Sequence, residues 1–95
     1  MKKFAYILLG SFNESIMRQN LTNNISVCTV KNFDEAKEMI VSLRQEGFGA
    51  IELCGAFGRD RALELIELTS NEVVVGYVVN EPAQNELIAK FFGGN

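Results

Sequence analysis

The chain contains no histidine. That absence removes Ser-His-Asp and Cys-His nucleophile pairs, zinc sites built on imidazole, and the usual general base at neutral pH. Cysteine is scarce as well. Cys28 and Cys54 are too few for a disulfide framework and lack metal-ligand spacing, so no metal site is expected and both read as free thiols of a cytoplasmic protein. Basic charge is the minority sign, with nine Lys and Arg against twelve Asp and Glu and a net charge of −3. The basic residues are also scattered. Nucleic acid is therefore not an expected partner, because phosphate neutralisation needs clustered Lys and Arg. No apolar run approaches the ~20 residues that cross a bilayer, so no membrane partner is expected either. Lys2-Lys3 followed by the apolar run Phe4 to Leu9 imitates a signal peptide, but no small-residue cleavage site follows.

What is present is ordinary globular composition. The 95 residues are 47% apolar and 22% charged, which fits one small domain over 1–95 with a modest core. Phe4 to Leu9 is short and continuously apolar and ends at Gly10, the pattern of a strand covered on both faces. The stretch from Ser11 to Asn24 is polar. Ser11 and Glu14 have capping-box spacing, and Ile16, Met17 and Leu21 form a weak stripe, which leaves a short helix and an irregular loop as competing readings. Ile25 to Val30 alternates apolar and polar residues, as an edge strand does. Asn32 and Glu35 then open a helix at capping-box spacing, with Phe33, Ala36, Met39, Ile40 and Leu43 on one side and Gly47 as its stop.

Ala50 to Cys54 reads as the third strand. A second helix follows over about Arg59 to Thr69, with Ala62, Leu65, Ile66 and Thr69 on one face, and Ser70-Asn71 forms the next turn. Val73 to Val79 is rich in β-branched residues and reads as the fourth strand. Pro82 suits the first turn of a third helix, whose apolar side is Leu87, Ile88, Phe91 and Phe92 and which ends at Gly93-Gly94. Strands alternating with helices predict an α/β domain of about four mostly parallel strands, flavodoxin-like or half-barrel. A ferredoxin-like or other mixed α+β sheet is the alternative, because the first crossover is not clearly helical.

Ligands of open parallel sheets bind beyond the carboxyl ends of the strands. The turn Cys54-Gly55-Ala56-Phe57-Gly58 is such an end, with two glycines ahead of a helix N-terminus and Arg59 and Arg61 beside it. Backbone N–H groups and positive charge there suit a phosphate or carboxylate, although the segment is neither a P-loop nor a GxGxxG turn. Gly in a tight turn serves positive φ equally well. Glu52 is a carboxylate between Ile51 and Leu53, a setting that tends to raise a pKa and suits a general acid or base. A structural Glu paired or wetted at a sheet edge is the competing reading. Cys54 near a helix N-terminus has the placement of a nucleophile, or of a small buried residue. Asn80, Glu81, Ser11 and Asn13 lie at other strand ends and can complete a polar pocket. Phe91-Phe92 and Val73 to Val79 are very apolar for so small a chain, which reads as core packing or as a subunit interface of a homo-oligomer.

Phe4-Ala5-Tyr6-Ile7-Leu8-Leu9-Gly10, the run Ile51-Glu52-Leu53-Cys54-Gly55-Ala56-Phe57-Gly58, and Val75-Gly76-Tyr77-Val78-Val79 resemble a family of small bacterial proteins of unknown function. The resemblance runs along the whole chain. It is most specific in the IELCGAFG run and weakest over Ser11 to Asn24. It implies a compact α/β protein and brings no activity or cofactor with it, and it makes Glu52, Cys54, Gly55 and Gly58 the first residues to test. Three functions then compete: a cytoplasmic protein binding a small anionic metabolite at the Gly55 to Gly58 turn, a small enzyme using Glu52 with or without Cys54, and an oligomeric structural or interaction module.

Overall fold

The computed structural model describes residues 2–11 and 17–93. The elements in chain order are β1 (Phe4–Leu9), β2 (Arg18–Thr22), β3 (Ile25–Val30), α1 (Phe33–Gln45), β4 (Ala50–Leu53), α2 (Gly58–Leu68), β5 (Val74–Tyr77), a 3-10 turn (Pro82–Gln84) and α3 (Asn85–Phe92). They build an α/β domain around a five-stranded sheet of order β2-β3-β1-β4-β5. β3, β1, β4 and β5 are parallel, and β2 is antiparallel to β3.

Two readings of the first third need correction. Arg18–Thr22, within the stretch read as a short helix or an irregular loop, form β2, so Met17 and Leu21 share no helical stripe. Asn13, Glu14 and Ile16 lie outside the described residues. With β2 at the edge, β3 is an interior strand. β2 escapes the usual periodicity because its inward positions are polar. Arg18 and Asn20 stand opposite Cys28 and Ser26, and Ser26 Oγ donates to Asn20 Oδ1. The Arg18 guanidinium makes a two-pronged pair with Glu46 at 2.6 and 2.8 Å. That hydrogen bond holds the Glu46 carboxyl below the usual carboxylate range. The pair therefore contributes fully above the ordinary carboxylate value and is lost as pH falls through the depressed one. Both partners are solvent-accessible, which limits the contribution to about 1 kcal/mol.

α1 and α2 follow their sequence signals closely, whereas Pro82 opens a 3-10 turn and α3 begins only at Asn85. Asn32 Oδ1 accepts the Glu35 N–H at 2.8 Å and so caps α1. Glu35 reaches back one residue beyond the cap, to the Lys31 N–H at 2.9 Å. Ala36, Ile40 and Leu43 are fully buried, with Phe33 and Met39 packed beside them. Gly47 ends the helix at φ +93°, a region that L side chains avoid. α2 buries Ala62 and Leu65 and closes through Thr69, whose hydroxyl donates to the Ile66 carbonyl at 2.8 Å. Ser70 and Asn71 turn the chain at φ 56° and 57°.

α1 and α2 pack against one face of the sheet and against each other. That face supplies Ala5, Ile7, Ser26, Cys28, Val30, Ile51 and Leu53, all buried. β1 is thus covered on one face, against the expectation of two. Phe4, Tyr6 and Leu8 alternate with its buried residues and lie on the open side. The reading of Phe91 and Phe92 as core packing also fails, since both are exposed and α3 buries no residue.

Candidate functional site

The carboxyl ends of β1 and β4 and the segment after β5 enclose a groove of about 510 Å³. Its walls are Tyr6, Leu8 and Leu9 from β1, Val78 after β5, and Phe92 at the end of α3. Gly10, Cys54, Gly55, Ala56 and Asn80 complete it. The sheet hydrogen bonds explain this convergence. The Cys54 N–H donates to Ile7 O at 3.1 Å, and the Val78 N–H donates to Leu53 O at 3.0 Å. The next β1 donor, the Leu9 N–H, points at Cys54 Sγ at 3.2 Å. The sulfur stands where the β4 backbone has already turned away, so a donor that would lack a partner is satisfied.

Gly55 opens the space above the sheet. A Cβ there would lie 3.5 Å from Val78 O and 3.8 Å from Asn80 Nδ2, ordinary contact distances. Alanine therefore fits, while a longer side chain projects into the groove. Gly58 has the other role expected of a turn glycine, at φ +73°. Phe57, just before it, is buried and stands edge-on to Phe33 with centroids 6.5 Å apart.

The residues singled out in the sequence separate into two groups. Cys54, Gly55 and Asn80 come together in the groove. Gly58, Arg59, Glu81 and Ser11 do not line it. Arg59 is exposed at the start of α2, and Arg61 donates to Ala56 O at 3.4 Å and stacks over Phe33. Glu52 is exposed on the open face of the sheet with its carboxylate over Gly76, where a Cβ would stand 2.7 Å from Oε2. Glu52 within β4 and Cys54 just past its end thus lie two residues apart without sharing the groove. Tyr6, Leu8, Gly10, Val78 and Phe92 are lining residues that the sequence reading did not select. The alternation of Phe4, Tyr6 and Leu8 within β1 was their signal, hidden by the apolar residues between them.

The two thiols occupy different surroundings. Cys28 is fully buried, and burial pushes its thiol up from the ordinary value. Cys54 is partly accessible in the groove. Native protein treated with a colorimetric disulfide reagent is expected to release one thiol per chain quickly and the second only in denaturant. Cys54→Ser removes the fast phase. Two fast thiols in native protein would contradict the burial of Cys28.

No helix among the described residues is long and apolar enough to cross a membrane. No curated protein matches the chain, and no solved structure does. The sequence pattern of a family of unknown function (DUF6506) matches residues 2–93, and the chain belongs to that family.

Proposed function

We propose that the protein binds a small, largely apolar molecule in the groove at the carboxyl ends of β1, β4 and β5. The observation that carries this reading is the lining itself. Side chains of Tyr6, Leu8, Val78 and Phe92 offer apolar walls, and the Asn80 amide and the backbone around Gly55 offer a few hydrogen-bonding groups. Apolar walls with few polar groups are the usual make-up of a small-molecule site, and the volume is within its usual range. Among the described residues no Lys or Arg lines the groove, so its chemistry suits a neutral ligand with one polar end. The anion reading keeps only the start of α2, with Gly58 and Arg59. Cys54 at the groove wall is the thiol that an enzymatic reading would use, and its sulfur is engaged by the Leu9 N–H.

Amide NMR with two probes tests this reading. Benzamide is expected to move the Gly10, Gly55 and Asn80 signals, and Gly55→Leu is expected to abolish the response. If inorganic phosphate moves Gly58 and Arg59 while benzamide and related aromatic amides move nothing, the anion reading replaces this one. If neither probe class moves any of these signals, the binding reading falls.

A further inference from the structure

We propose that the open face of the sheet is covered by a second copy of this chain, each copy laying its α3 on the other's sheet in a two-fold dimer. Parallel sheets are found with both faces covered, and β1 has the continuous apolar sequence of such a strand. Yet α1 and α2 cover one face alone. On the other, Ile25, Phe4, Ala50 and Val74 form a row across four strands, and Val27, Tyr6, Glu52 and Gly76 form the next.

The chain also carries the matching piece. α3 has eight residues and an apolar side of Leu87, Ile88, Phe91 and Phe92, and it packs mainly against the 3-10 turn before it. Isolated helices of that length are marginal in water, so tertiary packing must hold this one. An uncovered apolar sheet and an uncovered apolar helix on one chain are what a self-complementary two-fold contact requires.

The area agrees. Phe4, Ile25, Val74, Leu87, Phe91 and Phe92 are 48%, 43%, 68%, 61%, 81% and 72% exposed. At ~180 Å² for a large side chain these amount to roughly 670 Å², before the half-buried Val27 is added. That exceeds the ~300–600 Å² patch of an ordinary monomer and approaches the ~800 Å² per partner of a standard interface. Phe92 joins Tyr6, Leu8 and Val78 around one groove, so helix and sheet surfaces adjoin. Glu52 is the one charged residue in these rows, and α3 carries one cation and one anion, Lys90 and Glu86, so charge does not oppose the contact.

Sedimentation of the full chain tests the proposal through Val74→Glu on the sheet and Phe91→Glu on α3, both at exposed positions that leave the monomer fold intact by circular dichroism. The wild type is expected at twice the 10.6 kDa chain mass. Each variant is expected to weaken association by about 100-fold or more. Mixing the two variants restores part of the dimer, because the helix of the Val74→Glu copy then meets the unaltered sheet of the Phe91→Glu copy. A wild-type monomer up to roughly millimolar concentration overturns the proposal. A Phe91→Glu protein that associates like wild type, or a mixture without recovery, overturns the exchange of α3.

Discussion

Leu53→Ala is expected to lower the stability of the protein by about 2–5 kcal/mol. Leu53 is fully buried in β4, with β1 on one side and β5 on the other. Removing its branched end forfeits burial and leaves a cavity that flanking backbone cannot close, because the neighbouring ladders hold β4 in place. Domains of this kind have about 5–15 kcal/mol in total, so the loss is a large share of the whole. In urea, with a slope of about 1–3 kcal/mol per molar, the midpoint falls by roughly 1–5 M. The effect reaches the candidate site, since the Leu53 carbonyl accepts the Val78 N–H and the next residue is Cys54. Hydrogen exchange at the Cys54 and Val78 amides, both bonded within the sheet, should therefore accelerate along with global unfolding. Leu53→Met conserves volume and is expected to cost less than about 1.5 kcal/mol. Equal effects of alanine and methionine would remove the cavity explanation.

Phe48→Ala is expected to cost about 3–5 kcal/mol, and for a different reason. Phe48 follows the Gly47 stop of α1, and its N–H donates to the Leu43 carbonyl at 3.0 Å. Its ring is almost fully buried beneath two cations, with Lys3 Nζ 4.6 Å and Arg18 Cζ 5.3 Å from its centroid. The ring thus ties β2 to the end of α1 through the residue that also holds Glu46. Phe48→Leu keeps most of the apolar burial and removes the π face. It should recover most of the loss but remain about 0.5–2 kcal/mol below wild type. Repeating both substitutions in Arg18→Ala protein isolates the coupling by a double-mutant cycle. A leucine variant as stable as wild type would show that burial alone accounts for Phe48.

The helices were legible because their signals are local. Asn32, the α1 stripe and Gly47 sit at the spacing the helix demands, and each has the role read for it. β2 was illegible because Arg18 and Asn20 take polar partners from Ser26 and Glu46, and no apolar alternation remains to mark the strand. In the candidate site, Cys54, Gly55 and Asn80 were found because strand ends can be read from punctuation by glycine and asparagine. Tyr6 and Leu8 were not, because a continuous apolar run conceals which of its residues share a face. Glu52 was read with Cys54 because they are close in sequence, whereas β4 ends at Leu53, so Glu52 stays on the open face over Gly76 and the Cys54 sulfur meets the Leu9 N–H.

The sequence alone determined the α/β class, the boundaries of α1 and α2 to within a residue or two, and the absence of histidine chemistry. Each depends on residue type and short-range spacing, which the backbone obeys wherever the segment lies. Tertiary structure alone decided that β1 lies between β3 and β4, that three strand ends form one groove, and that, among the described residues, α1 and α2 cover one sheet face alone. Those outcomes rest on hydrogen-bonded ladders between segments far apart in the chain. Periodicity states which residues share a face. It does not state what, in the folded molecule, comes to cover that face.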